Sequence, residues 1–389
     1  MPRLINRTIN RTINRIIDRT IDRTGRGGDD RGAVSTLVAI VLGLGLLLGI
    51  GALVVDTGML YVERAELQNG ADAAALALAQ DCGDADGCAS DAQQIATELA
   101  GDNDASDGKA DASLVCGNTA AGFLTPCPAD DAASSACLGS RPPAPGNFVE
   151  VRTTTRQDDD STVLPPAFGK ILRGDDYDGR GVLACARAAW GGPRAAVTLP
   201  LTISFCEWQY ATADGVDFAP APPAPADPRY ERVLSVKADR GDPIPCPGSP
   251  SGGDLPGGFG WLANSDCEVD IDIDGSFSAD PGVSGSTCEE LLAVAQTTGE
   301  PIMIPIFDVA QGTGSNATYQ MHGFAAFVVT GYDLAGFKAT STLTGRKKCS
   351  SASSAAKCVF GYFTKDLVTT ADTVLGGPDM GATTVQVIG

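Results

Sequence analysis

Residues 32–55 read GAVSTLVAIVLGLGLLLGIGALVV, a run without a charged side chain. As an α-helix such a run exceeds the about 20 residues needed to cross a bilayer. Its flanks differ in sign. Arg19, Arg23, Arg26 and Arg31 precede it, and Asp56, Glu63 and Glu66 follow it. The excess of arginine on one side places the N-terminus in the cytoplasm and the rest of the chain outside. A cleaved signal peptide would show an apolar core of about 7–15 residues and then a small-residue cleavage site. This run is longer, and no such site follows closely. The expectation is a retained, single-pass anchor in the cell membrane, with an extracytoplasmic C-terminal part.

The helix is expected to continue past the run. Residues 56–80, DTGMLYVERAELQNGADAAALALAQ, contain no proline. Leu60, Leu67, Ala71, Ala74 and Leu78 fall on one helical stripe, and Glu63, Glu66 and Asp72 fall off it. Gly58 and Gly70 lower helix propensity locally, and the alanines raise it. One nearly continuous helix over residues 33–80 would be on the order of 70 Å long. Gly45 and Gly49 form a G-x-x-x-G pair, a spacing that lets two membrane helices approach and self-associate. The plainer reading of that pair is the general frequency of glycine in membrane helices.

Charge and cysteine follow the same division. Residues 1–31 hold eight Arg and four Asp, and the remainder holds 20 basic and 44 acidic side chains. The overall charge of −20 argues against nucleic acid as a partner, because a binding face needs clustered Lys and Arg. The head repeats Ile-Asn-Arg-Thr every four residues. It reads as low-complexity sequence, or as an amphipathic helix on the inner membrane surface. All 12 cysteines follow the apolar run, from Cys82 to Cys358. An even count on one side of a membrane reads as disulfides in an oxidising space. Zinc is the rival, but there is no C-x-x-C pair, and His322 is the only histidine.

Beyond the run, an ordered set of residues stands out: Arg31-Gly32-Ala33 before it, Val55-Asp56-Thr57-Gly58 at its outer edge, then Tyr61, Glu63-Arg64, Leu67-Gln68-Asn69 and the Ala-Asp-Ala-Ala-Ala-Leu-Ala tail from Ala71. This segment closely resembles the N-terminal part of TadG-like proteins of the Tad (Flp) pilus apparatus. FVEVRTTT, LPPAFGKILRG and GVLACARAAWG resemble the strand, short helix and strand that follow in TadE/TadG-type proteins. GFGWL, DPGVSG, GFAAFVVTGYDL and GYFTKDLV resemble actinobacterial TadG-related proteins. The resemblance implies a pilus-assembly role with other assembly or pilin-like proteins as partners. It departs in one respect. Prepilins cut by a prepilin peptidase carry Glu five residues after the cleaved glycine, whereas the fifth residue after Gly32 is Leu37. No cut after Gly32 is expected.

The expected organisation is a basic head (1–31), a transmembrane helix (32–55), its juxtamembrane continuation (56–81), an Ala/Asp/Cys-rich irregular region with one helix near residues 91–100 (82–145), a strand-helix-strand region (146–218), a Pro/Ala linker (219–228) and a β-rich C-terminal region (229–389). The fold class is α+β: a long N-terminal helix, then a disulfide-rich, β-rich exported domain. AVTLPLTISFCEWQY reads as a buried strand with Val197, Leu199, Leu201, Ile203 and Phe205 alternating. IMIPIFDVA and GFAAFVVTGYDL read as strands, and CEELLAVAQ as a helix with acids in its first turn. Cys349 and Cys358 bracket a polar loop and are paired, as are Cys267 and Cys288. Cys206 with Cys246, and Cys82 with Cys88, follow from proximity alone.

No catalytic, cofactor or metal residues are assigned. A Ser-His-Asp or Cys-His arrangement would have to rest on His322, which sits at the start of a strand and reads as structural. There is no P-loop. The Asn316-Ala317-Thr318 sequon reads as a turn. Asp270-Ile271-Asp272-Ile273-Asp274-Gly275 opens like a calcium loop, but the twelfth position, where a bidentate Glu belongs, is Pro281. Asp274, Ser276 and Ser278 mimic the metal-dependent adhesion site of von Willebrand A domains. That site follows a buried parallel strand, which is nearly continuously apolar, and this one alternates Asp with Ile. The plain reading puts Val269, Ile271 and Ile273 on the core, the aspartates in solvent, and a turn at Gly275-Ser276. The function expected is a non-enzymatic, single-pass component of a Tad/Flp-type apparatus. The rivals are a minor pilin-like filament subunit and a membrane-anchored exported enzyme or ligand-binding protein.

Overall fold

Helix α1 runs unbroken over Arg31–Gly83, as the apolar run and the proline-free stretch after it require. The computed structural model describes residues 31–84, 88, 90–104, 110–118, 124–128, 146–157, 159, 161–168, 170, 178–237, 260–263, 266–280, 288–312, 316–349, 357–368 and 372–389, with backbone alone at 31–34 and 235–237. The described residues fall into two compact units. One lies within Met1–Leu60 and Pro165–Gly179, the other within Tyr61–Leu164 and Arg180–Gly389.

In the first unit the side chains of α1 stand bare. Leu37, Val41, Leu44, Leu48 and Val54 are all exposed, Leu48 by 73%. This is the one helix among the described residues that is long and apolar enough to cross a membrane.

The second unit is built on two seven-stranded sheets. The first is ordered β1 (Asp111–Gly117), β2 (Asn147–Thr154), β3 (Leu183–Thr198), β14 (Ala382–Val387), β12 (Asp366–Leu367); β13 (Val374–Gly377) and β6 (Val269–Asp272) also pair with β3. Long β3 thus serves four neighbours. The second sheet is ordered β4 (Ile203–Ser204), β8 (Ile302–Gln311), β9 (Thr318–Asp333), β11 (Lys357–Thr364), β5 (Arg232–Lys237); β7 (Ser276–Ser278) and β10 (Lys338–Ala339) pair with β9. Pairing is antiparallel except at β12–β14 and β4–β8. Where β13 crosses β3 the backbones nearly touch. A Cβ on Gly377 would lie 1.9 Å from the Pro193 carbonyl oxygen, so only glycine fits.

Three apolar clusters fill the spaces. Ala71, Ala74, Leu78, Val149, Val151 and Ala188 join the outer part of α1 to the first sheet. Trp208, Trp261, Leu292, Ile304 and Phe327 fill the space between the second sheet and helices α3 (Phe205–Thr212) and α4 (Cys288–Thr298). Ile271, Phe307, Tyr319, Phe324 and Ala382 form the third cluster, drawn from strands of both sheets. The whole is α+β, as expected.

Two expectations differ from what is found. The stretch 82–145 contains, besides helix α2 (Ala92–Asp102), strand β1. The strand expected to alternate from Val197 through Phe205 is broken: β3 ends at Thr198, β4 holds only Ile203–Ser204, and Val197 and Leu199 are less buried than Thr198 and Thr202. Ser204 is an N-cap whose hydroxyl accepts from the Glu207 amide at 3.0 Å, and α3 begins at Phe205. The Pro/Ala stretch is extended at its start, where the Ala219 amide donates to Phe363 and its carbonyl accepts from Thr364.

Disulfides join Cys82–Cys88, Cys116–Cys127, Cys267–Cys288 and Cys349–Cys358. Three of these were expected, and Cys116–Cys127 was not. Cys185 and Cys206 are also disulfide-bonded. The expected partner of Cys206, Cys246, lies outside the described residues, as does the low-complexity head.

Candidate functional site

Several residues of the ordered set after the apolar run have a physical task. In the first unit, Asp56 is the first acid after the run, and its carboxylate accepts from the Phe168 amide at 2.9 Å. Asp56 thereby holds the loop that begins at Pro165.

In the second unit the rest of the set seats α1 on the first sheet. β2 alternates: Val149, Val151 and Thr153 face α1, while Glu150 and Arg152 face away. The helix presents small side chains to that surface. Ala71, Ala74, Ala75 and Ala79 are fully buried, with Leu67 and Leu78 between them. Small residues let the helix axis approach the sheet, and the two leucines fill what remains. At Gly70 the helix meets α2 so closely that a Cβ would lie 3.0 Å from the Ala100 Cα. Three polar bonds fix the register. Thr153 donates to the Leu67 carbonyl at 2.8 Å, Gln68 donates to the Cys185 carbonyl at 3.0 Å, and Thr155 donates to Glu63 Oε1 at 2.6 Å. Gln68 also donates to Asp72, one turn on. At its end the helix closes on β12 and β14, where a Cβ on Gly83 would touch Thr383, Leu367 and Trp190. Asp366 on β12 has its carboxyl pushed up by burial. The Leu367 amide lowers it in part, and the charge of Asp84 raises it further.

The far face of the first sheet is charged and buried. Glu150 and Arg187 are direct cross-strand partners. Glu150 accepts from Arg187 Nη2 and from Arg152 Nε at 3.0 Å. The Arg187 guanidinium also lies 4.6 Å from the Phe148 ring centre. One carboxylate lies between two guanidinium groups, and losing it would strand two buried cations.

Two groups of side chains among the described residues have ligand atoms close enough to share a metal ion. Cys116, Cys127 and Glu150 form one, but its sulfurs are joined in a disulfide and its carboxylate is held by two arginines. Glu63, Glu66 and Asp104 form the other, with oxygens within 4.8 Å of one another at the side of α1. Sequence spacing gave no sign of this group, because Asp104 comes from the end of another helix.

The acidic turn is placed differently. Ile271 is buried, Val269 and Ile273 pack partly on the core, and Asp270 is exposed. Asp272 forms an ion pair with Arg194 on β3, and Asp274 lies 3.7 Å from the same guanidinium. Asp272 also accepts from the Asp274 amide at 3.1 Å, and its carbonyl accepts from Gly275 at 2.8 Å, closing the turn. The two aspartates therefore share an arginine. His322 lies within β9, its Nδ1 3.4 Å from Asp308 and its ring tilted against that of Phe205, the centres 4.6 Å apart. Asn316 lies in the connection between β8 and β9.

Among the described residues one helix is long and apolar enough to cross a membrane, and it continues into a seat on a disulfide-held α+β unit. The particular family enters through that helix: residues 32–81 match the family described as putative Flp pilus-assembly TadE/G-like. No curated protein and no solved structure matches the chain.

Proposed function

We propose that the chain is a non-enzymatic, single-pass component of a Tad/Flp-type pilus assembly apparatus. The N-terminus is cytoplasmic, and the disulfide-held part contacts pilins or other assembly proteins outside the membrane. The observation that carries this reading is the coincidence of the family match with helix α1: the matched residues 32–81 cover the bare apolar span and the seated stretch together. Disulfides fit the oxidising side of a membrane, and the arginine-rich flank fits an N-inside orientation. Gly45 and Gly49 offer a close-packing face to another apparatus helix or a second copy, and a Cβ at Gly45 would meet nothing within 4 Å among the described residues.

The test is deletion of the gene in its native cell, scored by surface Flp pili. Pili should be lost on deletion and restored by the full chain and by His322→Ala, but not by residues 1–81 alone. Protease added to spheroplasts should digest the part after Cys82. Undiminished piliation in the deletion, or protection of that part from protease, would contradict the reading.

A further inference from the structure

We infer that residues 165–168, with Lys170, form a second, interfacial contact with the lipid surface, fastened to the helix by Asp56. The inference rests on residues 32–55 being a membrane span. Those residues form a helix about 36 Å long, against a hydrocarbon core of about 30 Å. Asp56, the next residue, therefore falls in the headgroup layer. Phe168 is tied there by its amide, 2.9 Å from the Asp56 carboxylate. Both residues belong to the first unit.

The chemistry of the loop suits a half-dehydrated layer. Pro165 and Pro166 have no N–H to leave unpaired, and the Phe168 N–H is already used by Asp56. The Phe168 side chain is 42% exposed. Pro165 and Ala167 are also exposed. An apolar ring beside a long cationic side chain is the pairing that settles at a membrane surface: the ring enters the acyl boundary and the ammonium stays with the phosphates. Lys170 is exposed, and the Asp178 carboxylate lies 3.9 Å from it and is still more exposed. That pair is loose enough in water to yield the ammonium to a phosphate.

The experiment uses the full chain in vesicles of phosphatidylethanolamine and phosphatidylglycerol, with and without brominated acyl chains, and reads tryptophan emission. The native Trp190, Trp208 and Trp261 are buried and supply a constant background. Leu48→Trp reports the span, and Phe168→Trp reports the loop. Brominated lipid should quench the added emission of both, and the Phe168→Trp emission should move to the blue on reconstitution. Asp56→Ala should abolish quenching at position 168 and leave it at position 48. Quenching at 48 with none at 168 overturns the interfacial contact and leaves the anchor standing. Quenching at 168 that survives Asp56→Ala overturns the fastening. No quenching at either position overturns the anchor, and the contact with it.

Discussion

The two halves of α1 are built to opposite rules, although they form one helix. The inner half carries Leu, Ile and Val on every side, all bare. At its buried positions the outer half carries Ala71, Ala74, Ala75, Ala79 and Gly70, with Leu67, Leu78, Glu63 and Cys82. Large branched side chains suit a fluid solvent that conforms to any shape. A sheet does not conform, and a helix can lie on it closely only where its side chains are small. The difference shows why the ordered tail after the apolar run is more telling than the run itself. Any apolar residue serves in lipid, whereas Gly70, Ala71, Ala74 and Thr153 must each match a neighbour.

Substitutions at four positions probe that difference, each read by the unfolding of the full chain in detergent. The largest effect is expected from the far face of the sheet that carries the seat. Glu150→Ala strands Arg187 and Arg152 and should cost about 3–5 kcal/mol; Glu150→Gln should fall between that and wild type. Gly70→Leu drives a side chain into the backbone of α2 and should cost about 3 kcal/mol, whereas Leu44→Ala in the bare half should leave the unfolding of the β-rich unit unchanged. Equal losses from the two would erase the distinction. Thr153→Val removes one bond to the Leu67 carbonyl in a shape of the same size and should cost about 1 kcal/mol.

The smallest effect is at the end of the helix. Burial raises the Asp366 carboxyl, with a further push from Asp84. The folded state therefore holds this proton more tightly than the unfolded chain does. Its contribution to stability is complete below the unfolded value and is lost as pH rises through the folded one. Asp366→Asn should accordingly raise the melting temperature at neutral pH by about 2 °C or less, and the gain should vanish in acid. A gain that persists in acid would mean that the charge is not the cause.

Much of this was legible in the sequence, because it is local. The absence of charge and proline announces α1, and the acids of the first turn and the apolar spacing announce α4. Cysteines close in sequence gave Cys82–Cys88, Cys267–Cys288 and Cys349–Cys358. What was illegible is non-local or brief. β1 has too few residues and too mixed a pattern to stand out, and Cys116–Cys127 depends on where that strand runs. The helix at Phe205 continues an alternating apolar pattern, and only the capping serine marks the change. The pairing of Glu150 with Arg187, and of Asp272 with Arg194, depends on register between distant strands. The seat itself was half visible: the stripe of Leu67, Ala71, Ala74 and Leu78 could be read, but not the threonines that lock it.

The central claim is that α1 is bare along its inner half and seated along its outer half. Methyl-resolved NMR of the full chain in lipid nanodiscs, with a paramagnetic label carried on the acyl chains, tests both parts at once. The methyls of Leu37, Leu44 and Leu48 should broaden, while those of Leu67 and Leu78 stay sharp and Leu78 shows cross-relaxation to Val149 or Val151. Broadening of Leu67 and Leu78 together with the inner leucines, and no contact to β2, would contradict it.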